Sequence, residues 1–353
     1  MSHKDLNAQL TPVTEYFTTT LGKIFLGDSI QVLKQLDSHS VDLIVTSPPY
    51  ALLRKKDYGN ADEQDYLDWF RPFAKEFQRV LKTSGSLVID IGGSWLPGTP
   101  TRSLYHFKLA IMLVEEVGFH LAQEFFWWNP SKLPSPAEWV NIRRIRVKDA
   151  VNTVWWLSKT PWPKANNRRV LQPYSSAMIT LFQNGYQAKR RPSGHDISRN
   201  FKTDNGAAIP PNLLALPNTD SNSKYLRYCG DEGITPHPAR FPAEIPEFFI
   251  RMLTDKGDLV LDPFAGSCVT AEVCETLERE WMCSELEELY LRGAIGRFDS
   301  DRPYNGKTNA RNWYRISRPG VLWSATEEPS KLEQDGGRGY RQRRASAKQK
   351  ESA

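Results

Sequence analysis

The first residues along the chain that could do chemistry come directly after the apolar segment "VDLIV", which begins at Val41. That segment is typical of a central strand, and it runs directly into Ser47, Pro48, Pro49 and Tyr50. Because proline donates no backbone hydrogen bond, the chain must leave the sheet here and form a stiff, extended corner. A hydroxyl and an aromatic ring fixed there could grip a ligand, although a plain loop corner is the commoner explanation of an isolated match.

A second candidate site lies in "LVLDPFAGSCVTAEV", where an apolar strand ends at Asp262 and a turn of small residues opens a helix. Gly266 would allow close approach to the backbone, and the first amides of the helix have no partner within it. The segment has neither the GxxxxGK[ST] pattern of a phosphate loop nor the GxGxxG pattern of a dinucleotide site. Neither of those nucleotide motifs fits.

Glu285 ends the next predicted strand, in "EWMCSEL". An acid in this position could accept hydrogen bonds from both hydroxyls of a ribose, as in dinucleotide sites. It could equally cap the following helix, and the residue alone does not decide between these roles. Beside "DPFAGS", the ribose role is the favoured one.

The elements that must position these residues alternate between strand and helix. This alternation predicts an α/β fold with a doubly wound, mainly parallel sheet, which is a Rossmann-like arrangement. In such sheets ligands bind beyond the carboxyl ends of the strands, and both motifs fall at such ends. Four tryptophans on predicted strands are expected to be core residues: Trp127, Trp128, Trp155 and Trp156.

The alternation stops between about residues 161 and 236, where Pro, Asn, Ser and Arg dominate. We therefore predict one domain in two halves, 23–160 and 237–298, separated by an irregular insertion over 161–236. An N-terminal extension, 1–22, precedes them, and a basic, weakly ordered tail, 299–353, follows.

Composition limits the class of protein. The 353 residues are 40% apolar, which is enough for a substantial core, and no run approaches the roughly 18 apolar residues of a membrane span. Without a signal-peptide pattern, we expect a soluble, cytoplasmic protein. The four cysteines form no CxxC pair, so we predict reduced thiols and no metal site.

The positive charge is unevenly distributed along the chain. Eight basic residues but only one acid lie between Asn141 and Val170, although the net charge is only +5. Clustering of this kind favours a polyanionic partner such as nucleic acid, while solvated faces give similar counts.

"TSPPY" and "DPFAGS" together resemble the motifs of the S-adenosylmethionine-dependent DNA amino-methyltransferases of the beta group, in which the catalytic motif precedes the cofactor motif. Ser47 precedes Asp262 here, with the irregular segment between them, as that order requires. "GDSIQVL" and "HPARFPAEIPEFFIRML" match further landmarks, so the resemblance spans roughly Lys23 to Phe298. The chain departs from the group at Cys268, where many members have a second glycine.

The resemblance implies the fold of a methyltransferase with permuted motif order, and S-adenosylmethionine as the cofactor. A helix cap explains Asp28 equally well, and a place in the core explains Phe264. The cofactor-binding residues implied by the resemblance are Asp28, Asp262, Pro263, Phe264, Gly266, Ser267 and Glu285.

The resemblance also implies roles in catalysis. The Ser47 hydroxyl and the Pro48 carbonyl would accept both protons of an exocyclic amine and so localise the nitrogen lone pair, while Pro49 keeps the corner rigid. Tyr50 would stack on a base rotated out of the duplex. Serine at the start of the motif points to cytosine N4, whereas Asp or Asn accompanies adenine N6 more often.

The implied partner is double-stranded DNA within a restriction-modification system that includes a companion restriction endonuclease. The sequence leaves the oligomeric state open, and a monomer that acts on one half-site at a time is compatible with a modifying enzyme. If the likeness carried by "NPSKLPSPAEWVN", "RPSGHDI" and "IPPNLL" extends to specificity, the site is CAGCTG. Arg190, Arg191 and His195 are candidates for DNA contact, with solvated loop residues as the equal alternative. Three alternatives stay open: adenine N6 methylation, an inactive DNA-binding scaffold, and RNA methylation.

Overall fold

The computed structural model describes residues 12–50, 65–96, 98–184 and 204–299 of the chain. The strands in these ranges are β1 (Thr14–Thr18), β2 (Gly22–Leu26), β3 (Val41–Thr46), β4 (Leu81–Ile91), β5 (His120–Trp128), β6 (Val151–Ser158), β7 (Leu213–Ala215), β8 (Leu259–Asp262) and β9 (Glu280–Glu285). The α-helices are α1 (Ser29–Gln35), α2 (Tyr66–Val80), α3 (Tyr105–Ile111), α4 (Ser176–Asn184), α5 (Lys224–Asp231), α6 (Glu244–Leu253), α7 (Val269–Leu277) and α8 (Glu288–Ala294).

The strands form one sheet in the order β1-β2-β9-β8-β3-β4-β6-β5-β7. Strands β2, β9, β8, β3 and β4 are parallel, whereas β1 and β6 run antiparallel to their neighbours. The five parallel strands therefore end at the same side of the sheet, which we call the carboxyl edge. The prediction of a mainly parallel α/β sheet is confirmed.

The central strand β3 is buried along its whole length because helices cover both faces of the sheet. Leu43 and Val45 pack in a core with residues of α6 and α7, whereas Ile44 packs in a second core with residues of α2 and α3. Successive side chains of a strand point to opposite faces, so a strand between two helix layers must be apolar almost throughout. This arrangement is the doubly wound one that the sequence predicts.

Helix α2 carries its apolar residues on one face. Phe70, Ala74 and Phe77 are fully buried, as their spacing of three and four residues predicts. Trp69 and Phe73 of the same helix contact Phe264, so this helix forms one wall beside the predicted cofactor turn.

The structure differs from the sequence-based prediction in several places, and helices α4 and α5 both lie in the predicted irregular insertion. Strand β1 lies in the predicted N-terminal extension and pairs with β2. Its side chains are largely exposed, so its sequence shows no clear apolar alternation that would predict a strand. Strand β7 lies in the predicted irregular insertion and pairs with β5. Trp128 is 41% exposed because it is the last residue of β5, whereas Trp127, Trp155 and Trp156 are buried.

The four cysteines are buried free thiols. Within the described ranges, no helix combines the length and apolar character that crossing a membrane requires. The domain boundaries given above stay predictions.

Candidate active site

The carboxyl edge brings the two sequence motifs together. Ser47 follows the end of β3, and Asp262 ends β8, which pairs in parallel with β3. Across this pair, the Thr46 hydroxyl donates a 2.8 Å hydrogen bond to Asp262 Oδ1. The predicted catalytic corner and the predicted cofactor turn therefore leave the sheet from directly bonded neighbours.

Four side chains form a hydrogen-bonded group at the Ser-Pro-Pro-Tyr corner. Tyr50 Oη donates to Asp90 Oδ2 at 2.9 Å, and the Ser47 hydroxyl donates to the same oxygen at 3.4 Å. From β6, Asn152 Nδ2 donates to Tyr50 Oη at 3.1 Å and to Asp90 Oδ1 at 3.4 Å. We call Ser47, Tyr50, Asp90 and Asn152 the serine cluster.

Asp90 supplies the negative charge of the serine cluster. Its side chain lies near the end of β4 and is only 4% exposed. Burial raises the pKa of the carboxyl to about 6, against the lowering effect of the hydrogen bonds from Tyr50, Asn152 and Ser47. Burial and the Asp90 charge raise the pKa of Tyr50 well above its usual value, so the phenol stays protonated. At neutral pH the cluster therefore holds one largely ionised carboxylate.

Two glycines after β4 leave space for their neighbours. A Cβ on Gly92 would lie 2.6 Å from the Tyr50 ring, and a Cβ on Gly93 would lie 1.7 Å from a guanidinium nitrogen of Arg102. Real Cβ contacts are essentially never that short, so the ring and the guanidinium pack directly on the backbone. Arg102 also forms a 2.9 Å ion pair with Asp149, which ties this corner to the start of β6.

Asp262 is also buried, with 1% of its surface exposed, and it too accepts from two hydroxyls and an amide, but here both hydroxyls are buried. Besides Thr46, the Thr270 hydroxyl donates at 2.7 Å and the Phe264 amide at 3.2 Å. Burial raises the pKa of this carboxyl to about 6. The carboxylate thus joins the end of β3, the turn after β8 and the start of α7.

Glu285 ends β9 and faces the same turn. Its Oε2 accepts a 2.8 Å hydrogen bond from the Gly266 amide, and its Oε1 accepts from the amides of Leu286 and Glu287 at 2.9 and 3.0 Å. Burial raises the pKa of the carboxyl. Helix α8 begins at Glu288, so the amides of Leu286 and Glu287 precede it, and the Glu285 side chain does not cap this helix as one of the two predicted explanations requires. The predicted ribose role stays a prediction.

Asp28 lies beside Glu285 because β2 pairs in parallel with β9. The Gly27 amide donates to the Glu285 carbonyl at 2.9 Å. Asp28 Oδ1 accepts from the Ile30 amide at 2.9 Å and caps α1, as one of the two predicted explanations requires. Its cofactor role stays a prediction.

The turn from Pro263 to Cys268 is held on several sides. The Ser29 hydroxyl donates to the Pro263 carbonyl, and Arg297 donates to the Ser267 hydroxyl at 3.1 Å. Phe264 is half-buried, with its ring centroid 5.0 Å from that of Phe73. These contacts hold the turn in place and leave part of the Phe264 ring accessible.

The backbone at Cys268 adopts a conformation that favours glycine. This residue has φ +56° and is fully buried at the start of α7. A side chain in the left-handed region costs about 1 kcal/mol, whereas glycine adopts it readily. Gly266 also has a positive φ, and a Cβ there would lie 3.1 Å from the His237 ring. Cys268 therefore keeps the turn that a second glycine would form with less strain.

The predicted DNA-contact residues Arg190, Arg191 and His195 lie outside the described residues. The basic run between residues 141 and 170 divides between two edges of the sheet. Arg146 lies near the start of β6, whereas Lys164 and Arg169 follow the end of β6 and pair with Asp255. In the described ranges, no three or more His, Cys, Asp or Glu side chains are grouped to hold a metal ion.

Sequence reasoning missed Asp90 and Asn152. The acid in "LVIDIGG" did carry a signal, since a charge at the end of an apolar strand before two glycines is unusual in a buried strand. Nothing local indicated Asn152, because it joins the site only through the antiparallel pairing of β4 with β6.

Comparisons with known proteins bear on the family of this chain. A family model described as DNA methylase matches residues 41–296. The chain is 52% identical over 285 residues to the type II methyltransferase M.PvuII of Proteus hauseri, which covers 80% of this chain and 85% of that protein. It is 28% identical over 279 residues to the type II methyltransferase M.BglII of Bacillus subtilis, over 77% of this chain and 67% of that protein.

A solved structure supports the fold. The cytosine-N4-specific PvuII DNA methyltransferase superposes with a TM-score of 0.66 at 45% sequence identity. The match covers 81% of this chain and 90% of that chain.

Proposed function

Because this chain belongs to the DNA methylase family, we propose that it transfers a methyl group from S-adenosylmethionine to cytosine N4 in a short duplex DNA site. The observation that carries the proposal is the serine cluster beside the Asp262–Glu285 turn. A hydroxyl bonded to a buried carboxylate lies next to a turn suited to a nucleoside. The 52% identity to M.PvuII and the similarity to a cytosine-N4-specific structure support the choice of base.

The residues of the turn fit S-adenosylmethionine. Glu285 is a half-buried carboxylate at a strand end, where an acid binds ribose hydroxyls in related sheets. Gly266 lets the backbone turn tightly with the His237 ring packed against it, and the half-buried Phe264 offers an aromatic face. We assign the ribose to Glu285, the base or methionine portion to Phe264, and supporting positions to Asp28, Pro263 and Ser267. When bound, the cofactor supplies an electrophilic methyl group on a sulfonium.

The serine cluster would act on the amine. The lone pair of the cytosine N4 amine is delocalised into the cytosine ring. Hydrogen-bond acceptors for both amino protons localise this lone pair and make the nitrogen a better nucleophile. The Ser47 hydroxyl can accept one proton while donating to Asp90, and the Pro48 carbonyl can accept the other. Ser47 and Asp90 also form a path for the proton that the nitrogen must lose. The 3.4 Å distance from Ser47 to Asp90 is long, as such contacts often are before substrate binds.

Tyr50 and Pro49 would hold the target base. The Tyr50 hydroxyl is fixed by Asp90 and Asn152, and its ring rests on Gly92, so the orientation of the ring is set before DNA arrives. We propose that the ring stacks on the flipped base.

The biological setting is proposed from the relatives, which are type II methyltransferases. The enzyme would protect host DNA from a companion restriction endonuclease in the bacterial cytoplasm and would act as a monomer. CAGCTG is the proposed site, with Arg190, Arg191 and His195 as proposed DNA contacts.

Product analysis tests this function. Duplex DNA containing CAGCTG is incubated with labelled S-adenosylmethionine, digested, and analysed as nucleosides by mass spectrometry. N4-methylcytosine is the expected product. N6-methyladenine would refute the assignment of the base, and no methylated base in DNA would refute the proposal, with methylated RNA pointing to a different substrate.

A further inference from the structure

A segment of unusual composition borders the serine cluster. Residues 129–150, which we call the β5–β6 connection, join the end of β5 to the start of β6 at the carboxyl edge. Asn152 of the serine cluster follows two residues after this connection. The β5–β6 connection lies in the predicted catalytic half rather than in the insertion that the sequence suggests for DNA recognition.

The β5–β6 connection exposes aliphatic side chains. Leu133 is 80% exposed and Val147 is 84% exposed, and Ile142 and Ile145 are 70% and 60% exposed. Single exposed apolar residues are ordinary, but four within one connection beside a candidate active site mark an interaction surface.

This surface is stiff although it has little core beneath it. Asp149 accepts hydrogen bonds from Trp95 Nε1 at 3.1 Å, Arg102 at 2.9 Å and Arg146 at 3.2 Å. The Lys148 ammonium donates to the carbonyls of Pro130 and Lys132 at 3.2 and 3.0 Å. The exposed aliphatic residues are therefore displayed from a framework fixed by polar contacts.

The charge of the β5–β6 connection narrows the choice of partner. It contains five basic residues, Lys132, Arg143, Arg144, Arg146 and Lys148, against the two acids Glu138 and Asp149. Arg143 stacks on Trp139 at 5.0 Å and pairs with Glu138 at 2.7 Å, with most of its side chain exposed. The exposed Arg144 is turned outward from a left-handed backbone position. A surface that is both cationic and aliphatic suits a polyanion with an apolar interior.

We propose that the β5–β6 connection is a DNA-docking surface in which Arg143 and Arg144 contact phosphates and Leu133 fills the stack beside the flipped base. The inference rests on the proposed function and extends it to residues outside the serine cluster. Proteins that distort duplex DNA insert aliphatic side chains between bases and contact the backbone with arginines, and the β5–β6 connection exposes both residue types. Base flipping leaves an apolar gap that such a side chain can occupy.

The arginines are tested by the salt dependence of DNA binding. The Arg143→Gln/Arg144→Gln variant is compared with Arg168→Gln/Lys256→Gln, which removes the same charge from the opposite edge. In the first variant, the slope of log Kd against log salt should fall by about two, one for each phosphate contact. The control should keep most of the wild-type slope. Equal slopes for the two variants would overturn the phosphate assignment.

Leu133 is tested by the cost of base flipping. Leu133→Ser is compared with Trp162→Ser, which changes an 83% exposed apolar residue beyond the other end of β6. Single-turnover methylation of a matched duplex should slow about tenfold for Leu133→Ser, because the flipped state loses its filler. A duplex with a mismatch at the target cytosine is easier to flip, so the loss there should be less than about twofold.

Three further results would overturn the inference in distinguishable ways. Equal losses on matched and mismatched duplexes would remove Leu133 from the flipping step. A lower melting temperature with unchanged DNA binding would mean that these side chains cover part of the chain itself. A wild-type protein that methylates neither duplex would overturn the proposed function, and this inference with it.

Discussion

Asp90 and Asp262 lie in similar surroundings on either side of β3. Both are near the ends of neighbouring strands, both are at most 4% exposed, and burial raises the pKa of each to about 6. Each accepts from two hydroxyls and an amide, and the difference lies in how far these donors are buried. Asp262 is bonded by Thr46, Thr270 and the Phe264 amide, and both hydroxyls are buried, whereas Asp90 is bonded by half-buried groups on the side of the catalytic corner.

This difference separates a carboxylate that holds the fold from one that can take part in a reaction. Burial and a raised pKa are common to both, so neither property alone identifies a catalytic acid or base. The deciding feature is whether a donor such as Ser47 can exchange its bond to the carboxylate for one to a substrate.

The largest effect should come from Ser47, which is bonded to the Asp90 carboxylate. Ser47→Ala should lower kcat by about 100- to 1,000-fold, because it removes an acceptor for the amine and the link to Asp90. Affinity for S-adenosylmethionine, measured by calorimetry, should change less than about twofold because Ser47 has no proposed contact with the cofactor. Ser40→Ala, before the start of β3, serves as the matched control. If cofactor affinity falls together with kcat, Ser47 has a structural role.

The cofactor turn should respond in the opposite way. Glu285→Ala should raise the Kd for S-adenosylmethionine about 30-fold, because a charged acceptor of ribose hydroxyls is lost. Turnover at saturating cofactor should remain within about threefold of wild type, since the serine cluster is intact. Glu288→Ala, on the exposed first turn of α8, should bind normally. An unchanged Kd for Glu285→Ala would leave Glu285 only its hydrogen bonds from the neighbouring backbone amides.

Loss of a hydrogen bond to the Asp262 carboxylate should lower the stability of the fold. Thr270→Val removes one donor to Asp262 and should lower the free energy of unfolding by about 2 kcal/mol at pH 8. A smaller loss is expected at pH 5, because Asp262, with its pKa near 6, is then protonated and a hydrogen bond to it is weaker. Denaturant unfolding of this variant and of Thr276→Val, an exposed threonine on the same helix, measures the difference. An equal loss at both pH values would contradict the charged hydrogen bond.

The smallest effect concerns the support of Tyr50. Gly92→Ala would place a Cβ 2.6 Å from the ring, so the ring must shift and the rate should fall about tenfold. Gly230→Ala has open space around its Cβ and should be silent. A wild-type rate for Gly92→Ala would show that the orientation of the Tyr50 ring is unimportant.

Much of this site was predictable because strand ends are legible in the sequence. The run "VDLIVT" and the break at Pro48 locate one strand end, and "LVLD" locates the other. The sequence did not predict a role for Asp90, because that role depends on β4 lying beside β3. Local sequence patterns do not determine the order of strands in a sheet. Strand β1 escaped because an exposed edge strand has little apolar alternation to detect.

The distinction between the two carboxylates is tested most directly by the pH dependence of single-turnover methylation. Rates are measured between pH 5 and 8 at saturating cofactor and DNA, for the wild type and for Asp90→Asn. The wild-type rate should fall as the pH drops through about 6, because protonation of Asp90 removes the acceptor for the Ser47 proton. Asp90→Asn should be slow at every pH and show no such fall. A variant that keeps the wild-type rate, or the same fall near pH 6, would contradict the role given to Asp90.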